Sequence, residues 1–161
     1  MNFVENLTKT RVLWFSFVGT LVCMVAFQVI VGQYGLILLD RISDPEQSRA
    51  AIASMSESQR SLHAWVTGTL DVAYPAVYGT LFIGSAFTFF PKIGKFLAAP
   101  TLLLVPIDLI EGVVQILGLT GAADWLGAKA ILTPTKLLLA YFGILMTVSG
   151  WIAWTIGRLK P

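Results

Sequence analysis

The sequence predicts an all-α fold: a bundle of four transmembrane helices, with a short extramembrane helix between spans one and two, in one integral membrane domain over residues 1–161. Three observations carry this. Of the 161 residues, 56% are hydrophobic and only 12% are charged, whereas a soluble domain is about one quarter charged. Mean hydropathy is +0.77, so the chain cannot cover itself with polar surface. Finally, four segments reach the length of about 20 apolar residues needed to cross the hydrocarbon.

The spans are expected at about residues 12–39, 61–90, 96–117 and 136–156. Lys9 and Arg11 precede the first, as in a signal peptide, but no convincing small-residue cleavage site follows and the run is too long; it reads as an uncleaved helix. In "SDPEQ", Asp44 is the expected N-cap, Pro45 the first helical residue and Gln47 the return partner of a capping box. The short helix that follows is either a lid or a connector lying on the bundle. The tight turn "PKIGK" joins spans two and three, and Thr133 and Pro134 read as cap and first residue of span four. Gly32 and Gly35 in "GQYG", and the pair Gly143 and Gly150, are candidates for close helix contact.

Orientation follows from Lys and Arg near the span ends. Lys9, Arg11, Lys92, Lys95, Arg158 and Lys160 fall on one side; Arg41, Arg49, Arg60, Lys129 and Lys136 fall on the other. Six against five decides little, but the compact basic turn at Lys92 and Lys95 predicts both termini in the cytoplasm of a cell inner or plasma membrane. Trp14, Trp151 and Trp154 then mark the inner interface, and Trp65 and Trp125 the outer one.

Composition excludes several function classes. A net charge of +2 does not argue for nucleic acid as a partner. The single cysteine, Cys23, rules out an intrachain disulfide and disulfide-exchange chemistry. The single histidine, His63, cannot supply the imidazole set of a transition-metal oxygenase, and it reads as a solvated residue at a helix mouth. No metal or cofactor is called for. Membrane lipids are the expected surroundings, and a homo-oligomer is compatible with the sequence.

Three acids lie inside spans: Asp71, Asp108 and Glu111. Each costs roughly 2.5 kcal/mol or more near a span centre, which makes such residues functional candidates by default. At 1.5 Å per residue, Asp71 and Asp108 each sit about 13 Å from the outer end of their spans, and Glu111 about 9 Å. Although the two spans run in opposite directions, all three acids fall in the same half of the bilayer. Asp71, Tyr74 and Tyr78 share a helix face with Thr67 above them; Asp108, Glu111 and Gln115 form a second stripe. Gln28 and Gln33 on span one lie toward the same end. Lys136 is placed to reach down to Glu111, but cations are otherwise scarce, so at least one acid is expected to be protonated at neutral pH.

The prolines add to this. Pro75 leaves the carbonyl of Asp71 without its helical partner, and Pro106 and Pro100 do the same for Leu102 and Phe96. Freed backbone at membrane depth is tolerated where it lines a cavity or meets a neighbour.

"LDVAYPAVYG" followed by "VPIDLIEGV" resembles a pattern in uncharacterised small four-helix membrane proteins of bacteria: acid, aromatic–proline and tyrosine in span two, then proline, aspartate and glutamate in span three. The resemblance covers these two spans, supports the four-helix architecture and implies no activity. That pattern commonly has asparagine after the glutamate, where this chain has Gly112.

Three function classes follow. The first is a carboxylate-lined site that binds, or processes by acid–base chemistry, a lipid-soluble small molecule; an enzyme of this kind would be a cofactor-free isomerase or cyclase. In it Asp71, Asp108 and Glu111 are the catalytic candidates, and Tyr74, Tyr78, Gln115, Thr67 and Lys136 contact the ligand. The second is a structural or assembly protein whose acids join helices. The third is transport or sensing of protons or hard cations, against which stand the small size of the bundle and the absence of an inverted repeat.

Overall fold

The computed structural model describes residues 3–159, without the side chains of Phe3, Arg158 and Leu159; Lys160, counted above among the basic residues, lies outside it. Among the described residues the regular structure is entirely helical, with no strand. They form α1 (Phe3–Leu7), α2 (Thr10–Tyr34), α3 (Pro45–Ser54), α4 (Glu57–Phe89), α5 (Gly94–Thr120) and α6 (Lys129–Leu159). Leu39–Arg41 and Leu126–Ala128 are single 3-10 turns. Four of the helices, α2, α4, α5 and α6, are long and apolar enough to cross a membrane.

Local chemistry sets the boundaries. Helix α2 stops at Tyr34 because Gly35 adopts φ +57°, where its N–H caps the carbonyl of Val31. The first apolar run was expected to continue to Leu39, but Gly35 ends the helix first and "LILLD" leaves it. Gly35 is therefore a helix stop, and Gly32 makes no close contact. Asp44 caps α3 through the N–H groups of Glu46 and Gln47, with Pro45 in the first turn. Gln47 takes part through its backbone; the full capping box lies at Ser56 and Gln59, which start α4 one turn before the expected Ser61.

The largest boundary correction is at α6, which begins at Lys129 rather than Lys136. Pro134 is inside this helix, so Thr133 and Pro134 are not its cap and first residue. Hydropathy assigns Lys129 to a loop, whereas the ion pair described below lets it start the helix in the interior.

Helix α4 is the hub: it packs on α1, α2, α5 and α6, while α5 also packs on α6. Close approach depends on glycine at two points along the seam between α4 and α6. A Cβ on Gly143 would lie 2.3 Å from Phe82 Cδ2, and one on Gly150 would lie 2.7 Å from Phe89 Cδ2, so α6 touches α4 where the sequence pair was expected to allow it. One apolar core gathers Tyr78, Leu81, Phe82, Ala98, Leu104 and Met146 between α4, α5 and α6. A second, of Leu39, Ile52, Met55, Val114, Leu119 and Leu126, seats α3 and both 3-10 turns on α5. Helix α3 is thus packed against the bundle end, where Arg49 pairs with Asp124 at 2.7 Å. Helix α2 differs from the rest. It rests mainly on α4 and buries only Leu13 and Ser16.

Candidate functional site

Between α2 and α6, which meet through aromatic rings at one end and stand apart elsewhere, lies a cavity of about 720 Å³. Its polar end, near α3, is lined by Asp40, Arg41, Asp71, Asp108 and Lys136. Its far end is lined by Trp14, Phe17, Trp151 and Ile152. There Trp14 stacks edge-on against Trp151, with ring centroids 5.2 Å apart, and closes the floor. The middle is apolar: Leu21, Met24, Leu104, Ile144 and Val148, with Cys23 and Thr147 beside them.

Lys136 organises the polar end. Its Nζ lies 2.9 Å from Asp40 Oδ1, 3.1 Å from Asp108 Oδ1 and 2.6 Å from Glu111 Oε2. Glu111 is fully buried and is held on its other oxygen by Lys129 Nζ at 2.7 Å and by the Thr133 hydroxyl. The Tyr78 hydroxyl donates to Asp108 Oδ2 at 2.6 Å, and Gln115 Nε2 donates to Asp40 Oδ1 at 2.9 Å. One continuous network therefore joins α4, α5, α6 and the Leu39–Arg41 turn. Charge-assisted bonds of this kind are about twice as strong as neutral ones.

Asp40, Asp108 and Glu111 bring carboxylate oxygens within 4.8 Å of one another, a donor set suited to a hard cation. The Lys136 ammonium is already shared among them, as a tethered cation. Burial pushes the Asp40 carboxyl up, but Lys136, supported by Gln115 and Lys129, outweighs it and holds the group below the usual carboxylate range. At the exposed edge of α3, the hydrogen bond from Arg49 and the Leu126 N–H hold Asp124 below its usual value as well.

The residues singled out in the sequence fall into two groups. Asp108, Glu111, Gln115 and Lys136 meet directly in the network. Asp71, Tyr74 and Tyr78 line the adjoining cavity wall, with the two tyrosine rings 5.0 Å apart and nearly perpendicular. Asp71 is not in ion-pair contact with a cation among the described residues; it sits beside the network rather than within it. Thr67 is buried one turn above Asp71, with its methyl 3.5 Å from where a Cβ on Gly112 would stand. Of the two glutamines on α2, Gln28 lines the cavity and Gln33 is exposed. Of the carbonyls freed by proline, only that of Asp71 belongs to a cavity residue; Phe96 and Leu102 carry exposed side chains.

Two expectations need correction. Cations are not scarce, because Lys129 and Lys136 both enter the interior. His63 is 2% exposed rather than solvated, with Nδ1 unpaired among the described residues. Asp40 lies outside the four long helices, yet the turn after α2 carries it back onto Lys136. Sequence reasoning thus missed Asp40, Lys129 and Thr133. Lys129, Thr133 and Lys136 follow i, i+4, i+7 spacing, the same signal that picked out the acids on α4 and α5. Asp40 carries no such local signal.

Chemically, the site sets a carboxyl group without a contacting cation against a pre-organised carboxylate–ammonium–phenol cluster, in low-dielectric surroundings where proton affinity is easily shifted. Comparison with protein-family models, with curated proteins and with solved structures finds no match.

Proposed function

We propose that the chain is a four-span integral membrane protein that binds a lipid-soluble small molecule between α2 and α6 and holds it against proton-exchanging carboxyl groups. The carrying observation is the cavity itself. It is apolar along most of its length, and one end gathers Asp71, Asp108, Tyr74, Tyr78 and Lys136. Ligand sites typically have this character, with a few polar groups fixing orientation in an apolar cleft of about 300–1,000 Å³. In this reading Asp71 is the leading proton donor or acceptor, Asp108 and Glu111 set the local field, and Tyr78 holds Asp108 in place. If the ligand is also a substrate, the reaction is an isomerisation or cyclisation that needs only proton movement.

In this reading both termini lie in the cytoplasm. With Lys129 and Lys136 withdrawn into ion pairs, six basic residues at one end of the spans face only Arg41, Arg49 and Arg60 at the other. This sharpens the positive-inside asymmetry. Reporters fused to each terminus should be active in the cytoplasm; activity on the opposite side at either end overturns the orientation.

A second reading is favoured by the network, which ties α4, α5 and α6 together whether or not a ligand binds. In that reading the acids are interhelical glue. Asp71→Asn separates the two. A protein that folds normally but loses co-purifying lipid-soluble molecules, measured by solvent extraction and mass spectrometry, supports the site. A protein that fails to fold supports glue.

A further inference from the structure

The polar end of the cavity carries one more acid than base. Asp40, Asp71, Asp108 and Glu111 stand against Arg41, Lys129 and Lys136. The two lysines are engaged by carboxylates at 2.6–3.1 Å, Arg41 is exposed at the rim, and Asp71 has no contacting cation. Beside Asp71 the Tyr74 and Tyr78 rings meet at 78°, forming two walls of an aromatic corner. A carboxylate next to aromatic faces is the chemistry that receives an amine or quaternary ammonium, and the ring contacts gain strength as the site is desolvated.

The remainder of the cavity suits a chain. Lys136 and Ile152 both line it, about 24 Å apart along α6 at 1.5 Å per residue. That is most of the hydrocarbon thickness of about 30 Å. The walls facing across the gap, Leu21 and Met24 on α2 and Leu137, Ile144 and Val148 on α6, are apolar.

We infer that the ligand is a cationic amphiphile, with its ammonium head at Asp71 in the Tyr74–Tyr78 corner and its chain lying between α2 and α6. This rests on the ligand-site reading above and adds the sign of the head group. An anionic head would meet four carboxylates whose balancing lysines are already committed. A neutral head would leave Asp71 protonated and forgo the ion pair that a cationic head forms with its ionised carboxylate.

The test uses the full chain in lipid nanodiscs, released into native mass spectrometry after equilibration with three amphiphiles of equal chain length: an alkyltrimethylammonium, a fatty acid and a fatty alcohol. One ammonium amphiphile per chain is expected, at least about tenfold preferred over the other two, the ratio that one ion pair in a desolvated site supplies. Asp71→Asn should remove that preference, and Tyr74→Leu should weaken ammonium binding alone. Ile144→Trp, which fills the chain-binding part, should abolish binding of all three. If Asp71→Asn does not fold, the Tyr74→Leu result decides. Preference for the acid or the alcohol, blocked by Ile144→Trp, overturns the cationic head and leaves the ligand site standing. Binding of none, or binding indifferent to Ile144→Trp, overturns both.

Discussion

Glu111 lies between two ammonium groups, Lys129 Nζ at 2.7 Å and Lys136 Nζ at 2.6 Å, and its removal tests the network directly. In Glu111→Gln, Lys136 keeps Asp40 and Asp108, at 2.9 and 3.1 Å. Lys129, with no exposed surface, keeps no carboxylate among the described residues. The cost should be that of one uncompensated buried charge, about 3–5 kcal/mol. In Lys129→Met, Glu111 still has Lys136 and the Thr133 hydroxyl, so the loss should be smaller, about 1–3 kcal/mol. The double variant removes the orphaned charge. It should be more stable than Glu111→Gln alone, with a coupling energy of at least about 2 kcal/mol. Reversible unfolding in mixed detergent micelles, followed by circular dichroism, gives all three values. A Glu111→Gln cost below about 1 kcal/mol, or single costs that add within about 0.5 kcal/mol, refutes the claim that this pair is mutually dependent.

Gly143→Ala should destabilise by about 1–3 kcal/mol, because its Cβ would stand 2.3 Å from the buried Phe82 ring. Phe82→Leu in the same chain should recover part of this, while Gly112→Ala, with only a 3.5 Å contact, should be neutral or stabilising by up to about 1 kcal/mol. Asp44→Ala should cost α3 about 1 kcal/mol, seen as faster amide exchange confined to Pro45–Ser54, since two N–H groups lose their acceptor. Asp40 titrates below its ordinary value of 3.8, so its hold on Lys136 is complete above that pH and weakens as pH falls through the folded value. Amide exchange around Leu39–Arg41, corrected for intrinsic rates, should therefore stay flat through neutral pH and loosen only in strong acid. Loosening already near about pH 6 contradicts the assignment.

How much of this could be read in advance depended on whether the signal was local. Apolar run length was enough for the four long helices, and Asp44–Pro45 for the start of α3. Spacing alone placed Asp71, Tyr74 and Tyr78 on one face and Asp108, Glu111 and Gln115 on another. Hydropathy failed at Lys129, because a lysine scores as loop unless its partner is known, and that partner lies eighteen positions away in the chain. It failed more completely at Asp40, whose partners Gln115 and Lys136 are 75 and 96 residues distant. The scarcity of cations inferred around the acids came from the same cause. Gly35 was visible but read as a packing glycine, since "GQYG" within an apolar run does not say whether the helix continues.

The loose seating of α2 divides the labour within the molecule. No member of the ion-pair network precedes Asp40, and both apolar cores are built from residues after Gly35. Residues up to Tyr34 thus supply one wall of the cavity and little of what holds the rest together. A swing of that single stave would change the width of the cavity without breaking any of those ion pairs, at the expense of its packing on α4 and of the Trp14–Trp151 stack. In the membrane-embedded reading proposed above, lateral pressure and bilayer thickness would bear first on that stave, and through it on the width of the site.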